Sequence, residues 1–186
     1  MKRLHLGYDT DTESPCEYDG WKLYSFKRGY DDPYQFFKHD GTPQTGFANK
    51  LRVGTAFLLS CFEHGSIHFY LQGEGSPGGW YGLFDYADLA GALVWEQPVK
   101  NLGPKKYADR EKDARAFLEK YNDWANGQCY WFSLEDEEGE IIDSCGGYIG
   151  NDAIKETLKE LLLEDELVYV VGDAADLAPY LNVRVA

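Results

Sequence analysis

Basic residues are scarce in the last third of this 186-residue chain. From Tyr121 to Ala186 there are only Lys155, Lys159 and Arg184, against fifteen Asp or Glu, a local net charge of −12. The first 120 residues hold seventeen acids and fifteen bases, so they supply only −2 of the total of −14. A field of that sign repels nucleic acid and anionic lipid and attracts basic surfaces. Long apolar runs are missing too. Stretches such as Ala56 to Phe62 are far shorter than a bilayer span needs, and Leu4 and Leu6 alone follow the opening Met-Lys-Arg, which makes no secretory apolar region. Cysteine is sparse: Cys16, Cys61, Cys129 and Cys145 are widely spaced and none forms a CxxC pair. These absences predict a soluble cytosolic protein with reduced thiols. The glycine-rich stretch from Gly73 to Gly79 carries Glu74 and no Lys-Ser or Lys-Thr, so it is no phosphate cradle.

What is present is a globular composition. Hydrophobic residues make up 44% and aromatics 16% of the chain. That supplies a core despite the charge and argues against disorder. The length suits one α+β domain, with lobes at residues 1–126 and 127–186 as the alternative division.

Periodicity predicts strands at residues 3–8, with Leu4 and Leu6 on one face, and at Trp21 to Phe26. Ala48 to Glu63 reads as a buried helix, with Leu51, Ala56, Leu59 and Phe62 at helical spacing. Ser66 to Gln72 alternates as a strand, and Trp80 to Glu96 fits either a short helix or a strand. Ala108 to Ala125 is the clearest helix, with Ala114, Phe117, Leu118, Tyr121 and Trp124 in one stripe and Asn126-Gly127 as its stop. Beyond it the order is β-β-α-β-β: a hairpin at Gln128 to Leu134 and Glu140 to Cys145, a helix capped by Asn151 or Asp152, and strands at Leu167 to Val171 and Leu181 to Val185. The fold class is α+β, a largely antiparallel sheet with about three helices.

Several constellations carry chemical meaning. Asp9-Thr10-Asp11 follows an early strand and Gly172-Asp173-Ala174-Ala175-Asp176 a late one. The pairing resembles the outline of haloacid-dehalogenase-like phosphatases, which implies a nucleophilic first Asp and Mg²⁺ held by carboxylates. Glu13 departs from the Thr or Val of that motif, and the late motif is one residue short. Cys61, His64 and His68 are a compact set of soft ligands, though zinc needs a fourth donor. Cys145, in Asp-Ser-Cys-Gly-Gly, has the look of a nucleophile at a tight turn, but its acidic neighbours oppose a thiolate. Lys22/Lys27/Arg28 and Lys100/Lys105/Lys106 are basic clusters, the former beside Tyr24, Phe26 and Tyr30, set against a strongly negative total. No cofactor site and no complete catalytic motif emerges.

The remaining candidate is the acidic C-terminal third. Glu135, Asp136, Glu137, Glu138 and Glu140 crowd one hairpin tip, and Glu164, Asp165 and Glu166 crowd the end of a helix. Asp152, Glu156 and Glu160 fall at i, i+4, i+8 on one helical face, a repulsion of a few tenths of a kcal/mol per pair, roughly, partly relieved by Lys155 and Lys159. With one duplex charge per about 1.7 Å of axis, twelve carboxylates match about 20 Å of DNA. Tyr130, Trp131 and Tyr148 are expected to rim that surface as partner contacts. The small size, acidic pI and aromatic richness, with the segments Asp9 to Gly20, Phe57 to Gly65 and Asp143 to Gly147, resemble accessory proteins of phages and conjugative elements. Antirestriction and anti-CRISPR inhibitors, several of them DNA mimics, belong to that group. The resemblance implies a non-enzymatic protein whose partner is a basic surface of a nucleic-acid-processing complex. The alternatives are a small Mg²⁺-dependent hydrolase using Asp9, Asp11, Asp173 and Asp176, and an oligomeric structural protein.

Overall fold

A computed structural model describes residues 2–74, 85–162, 167–180 and 184–185. The elements are β1 (Arg3–Tyr8), β2 (Trp21–Ser25), α1 (Thr45–Val53), β3 (Ala56–Glu63), β4 (Ile67–Leu71), β5 (Tyr86–Trp95), α2 (Tyr107–Ala125), β6 (Cys129–Glu135), β7 (Ile141–Ile149), α3 (Asn151–Leu161), β8 (Leu167–Val171) and β9 (Arg184–Val185). This is an α+β fold with mostly antiparallel sheets, and it keeps the expected β-β-α-β-β order after α2. The chain divides into two compact units, residues 14–122 and residues 1–13 with 123–186. Their boundary lies in the last turn of α2, a few residues before the 126/127 division that the Asn-Gly stop suggests, and the first strand belongs with the C-terminal residues.

In the unit of residues 14–122 the sheet order is β2-β5-β3-β4, antiparallel throughout. The sheet is buried on both faces. Ala56, Ala92, Val94 and Tyr24 pack with Phe47 of α1 and with Phe37. On the opposite face Phe57 meets Tyr107 and Phe69 meets Tyr121, both on α2. Burial from both sides explains why Ala56–Glu63 is a strand and not the continuation of a helix. A strand covered on two faces reads as an unbroken apolar run, which periodicity confuses with a buried helix. Only Thr45–Val53 is helical, and Gly54, at φ 73°, ends it in the left-handed conformation that glycine adopts freely. Tyr86–Trp95 resolves as strand, and Cys61 therefore lies on β3.

The second unit centres on β1. Its order is β7-β6-β1-β8-β9, with β1 antiparallel to β6 and parallel to β8. Leu4 and Leu6 share a buried face with Tyr130, Phe132, Leu134 and Val168, closed by Ile154 and Leu158 of α3 and by Ala174 and Ala178. Neither Asn151 nor Asp152 caps α3; Gly150 occupies the cap position without a side-chain bond. Gly172 is required where β8 ends, because a Cβ there would lie 2.1 Å from the Leu6 carbonyl oxygen. Residues 181–183 of the expected last strand, and residues 75–84, lie outside the described residues.

Candidate functional site

The acidic surface is built on the β6–β7 hairpin and on α3. Its turn is organised by one carboxylate. Asp136 Oδ1 accepts the N–H groups of Glu138 and Glu140 at 2.9 Å each, and Gly139 takes φ 88° to close the loop. Asp136 is therefore a turn residue before it is a contact residue. Glu135 is also spent internally: Arg3 Nη1 lies 3.5 Å and His5 Nε2 3.0 Å from its two oxygens, on the neighbouring strand β1. Glu137, Glu138 and Glu140 are exposed. On α3 Ile154 and Leu158 point into the core, so Asp152, Glu156 and Glu160 stand together on the solvent side. Glu164, Asp165 and Glu166 lie outside the described residues.

The three aromatics separate. Tyr130 is only 2% exposed and belongs to the core, so its place on a contact rim is corrected. Strand alternation explains it: Tyr130, Phe132 and Leu134 share the buried face, while Trp131 falls on the other. Trp131 is 38% exposed, and its indole lies over Gly7, where a Cβ would come within 2.4 Å of the ring nitrogen. Tyr148 is half-buried against Phe132. Burial raises its phenol above the ordinary value; Thr157 lowers it by hydrogen bonding, and the Cys145 side chain raises it further.

The two Asp loops proposed for a hydrolase do come together, at the end where the parallel strands β1 and β8 finish. Asp173 Oδ1 accepts the Tyr8 N–H at 3.0 Å. Asp9 Oδ2 accepts the Gly147 N–H at 2.8 Å and its Oδ1 accepts the Asp11 N–H at 3.1 Å. Burial tends to raise the Asp9 pKa, but the N–H donors of Gly147 and Asp11, with Thr12, outweigh it and hold the carboxyl below its ordinary value. Both carboxylates are thus engaged by backbone donors. The Asp176 side chain lies outside the described residues.

The Gly146-Gly147 pair finds its use in the same place. A side chain at Gly146 would meet Asp9 Oδ2 at 2.9 Å, and Gly147 has φ 78°. The glycines after Cys145 therefore receive the chain's own carboxylate, a role that the sequence hinted at only through their adjacency. Cys145 is exposed, with its thiol 3.6 Å from the Gly146 carbonyl.

The soft-ligand set disperses. Cys61 is fully buried, and burial pushes its thiol up to about 11, with Lys27 opposing. His64 Nδ1 lies 3.0 Å from Asp85 Oδ2, and His68 Nε2 lies 3.1 Å from Ser66 Oγ. Among the described residues no three His, Cys, Asp or Glu side chains gather as ligands for a metal ion. Nor is any helix among them long and apolar enough to cross a membrane. No protein-family model, curated protein or solved structure matches this chain.

Proposed function

We propose that this chain is a non-enzymatic acidic binding protein whose unit of residues 1–13 and 123–186 occupies a basic, nucleic-acid-binding surface of a partner. The observation that carries the reading is the segregation of charge between the two compact units. That unit holds eighteen Asp and Glu against five Lys and Arg, a net −13, whereas residues 14–122 hold fourteen against thirteen, a net −1. Solubility alone does not call for one compact body to take nearly all the excess. Glu137, Glu138 and Glu140 at the hairpin turn and Asp152, Glu156 and Glu160 on α3 supply exposed carboxylates. Such a field speeds encounter with a basic groove and makes binding salt-dependent. This is how a DNA-mimicking antirestriction or anti-CRISPR inhibitor works, the class that the sequence resembles.

The test is a pull-down with tagged protein from a nuclease-treated bacterial lysate at low and moderate salt, followed by charge reversal at Glu137, Glu138 and Glu140. Asp136 is left intact because it holds the turn. The expected result is a nucleic-acid-binding partner released as salt rises, with association slowed roughly tenfold by the reversal. Unchanged affinity and an unchanged salt slope would sink the reading.

One observation favours a second reading, a Mg²⁺-dependent hydrolase: Asp173 takes the N–H of Tyr8, the residue before Asp9, where the parallel pair β1 and β8 ends. Against it, each already accepts backbone N–H groups. Turnover of p-nitrophenyl phosphate that requires Mg²⁺ and is lost in Asp9→Asn would establish it. No turnover in the unaltered chain would dismiss it.

A further inference from the structure

The edges of the two sheets are finished differently. In the sheet of residues 14–122, edge strand β4 is closed by an amide: Asn122 Oδ1 accepts the Phe69 N–H at 2.8 Å while Asn122 Nδ2 donates to the Phe69 carbonyl at 3.0 Å. The opposite edge, β2, is closed by its own connections. Ser25 N–H donates to the Asp31 carbonyl at 2.9 Å. Unpaired strand edges invite further strands, and these two are covered.

Strand β7 is not covered in that way. It pairs with β6 alone among the described residues, and every residue from Ile141 to Gly147 is exposed. It has neither the lysine nor the proline that commonly guards an edge. Its bulges against β6 and two short carboxylate caps are what blunt it. Asp143 Oδ1 takes the N–H of its neighbour Ser144 at 2.8 Å, and Asp9 takes that of Gly147. The Asp9 bond closes the far end, so the segment left for pairing is Ile141 to Cys145, where an added strand takes the Ser144 N–H in place of the local Asp143 bond. Within it, adjacent Ile141 and Ile142 are 65% and 49% exposed. The bulge opposite Leu134 and Glu135 sets Ile142 outside the regular alternation, so the two side chains form an apolar grip at one end of the segment.

The chemistry of the occupant follows from charge. Residues 128–150 contain Glu135, Asp136, Glu137, Glu138, Glu140 and Asp143 and no Lys, Arg or His. Pairing with a second copy of β7 sets these acids against one another, which destabilises a cross-strand pair. A basic strand meets them with the opposite sign. We infer that β7 accepts an extended, lysine- or arginine-rich segment of a partner protein as a sixth strand, held by main-chain hydrogen bonds along Ile141 to Cys145. Ile141 and Ile142 take its apolar side chains, and Glu137, Glu138, Glu140 and Asp143 face its cations. The inference rests on the acidic-binding reading above and adds the geometry of recognition.

The test uses the full chain and a fluorescein-labelled eight-residue peptide alternating lysine with valine. Two relatives of the peptide accompany it: one N-methylated at every second backbone amide, and one with glutamate for each lysine. Strand addition predicts saturable binding of the first peptide and at least tenfold weaker binding of the N-methylated one. It predicts no binding of the glutamate peptide, and slowed amide exchange confined to residues 141–145. Replacing both exposed isoleucines (Ile141→Ser with Ile142→Ser) weakens binding of the first peptide about tenfold while leaving the fold intact. Equal binding of the parent and N-methylated peptides, lost in salt, overturns strand addition and leaves the acidic-surface reading standing. Binding of neither at low salt overturns both. A dimer on sizing chromatography with the Ser144 amide protected in the absence of peptide assigns the edge to a second copy and overturns the inference.

Discussion

The two compact units solve opposite problems with similar material. Residues 14–122 balance their charges and pair many of them: Lys22 with Asp31, Lys27 with Glu63, Lys120 with Asp19, and Arg115 with both Glu74 and Glu111. Their sheet is covered on both faces and closed at both edges. Residues 1–13 with 123–186 concentrate acid, leave one long edge strand open to solvent, and commit Arg3 and His5 to the same carboxylate, Glu135. Exposed ion pairs contribute little stability each. On the proposed reading the contrast lies in what each surface binds: the closed, neutral unit offers a charged partner little, and the acidic unit with an open edge supplies the contact.

Changes confined to one unit sharpen the comparison. The largest expected effect is Gly91→Ala in the neutral unit. A Cβ there would lie 1.9 Å from the Tyr24 carbonyl oxygen, between two paired strands that cannot yield. A loss of about 3 kcal/mol or more follows, read as a fall in the denaturant midpoint by tryptophan emission; a change under about 1 kcal/mol would contradict the packing. Next is Asn122→Ala, which strips both main-chain partners from Phe69 and costs roughly 2–3 kcal/mol. If the amide is also an edge guard, this variant aggregates more readily than Gly54→Ala, a glycine change at the end of α1, brought to equal stability.

Asp9→Asn probes the acidic unit at roughly 1 kcal/mol near neutral pH, discounted for its solvent exposure. Its sign is fixed by the lowered pKa. The carboxylate's contribution is complete above its ordinary value of 3.8 and is lost as pH falls through the lower folded value. The gap in stability between the unaltered chain and Asp9→Asn therefore closes in acid; a gap that widens there would refute the Gly147 and Asp11 bonds. The smallest effect is Glu156→Gln, which removes like-charge neighbours at Asp152 and Glu160. It stabilises α3 by roughly 0.3 kcal/mol while weakening capture of a basic partner. Thermal melting and partner affinity moving in opposite directions would mark the stripe as functional.

Much of this was legible in the residues, and the failures have physical causes. The α2 stripe stood out because Ala114, Phe117, Leu118 and Tyr121 face one covered side. The helix–strand switch at Gly54 is masked in the sequence because β3 is buried on both sides, and Val53-Gly54-Thr55 is the local signal that marks it. Tyr130 was misplaced although its period-two kinship with Phe132 and Leu134 was there to read. The centrality of β1 was not legible: nothing in Arg3–Tyr8 announces that its partners lie beyond residue 128, since such pairing is decided by the assembled core. The meeting of Asp9 with Gly147 is hidden for the same reason. Of the acidic residues at the hairpin, Glu135 and Asp136 hold structure, while Glu137, Glu138, Glu140 and the α3 stripe are exposed.

The position of β1 has a consequence for how the chain is born. It is synthesised ahead of both of its neighbours, β6 and β8, which emerge about 120 residues or more later. At roughly 5–20 residues per second, Leu4 and Leu6 wait about 6 to 24 seconds on the ribosome without a partner while residues 14–122 are completed. A nascent chain stalled before Cys129 would carry a finished middle and an orphaned beginning, open to a chaperone. A circular permutation that opens the chain after residue 13 and joins residues 1–13 behind β9 would make β1 last, with both of its neighbours already present.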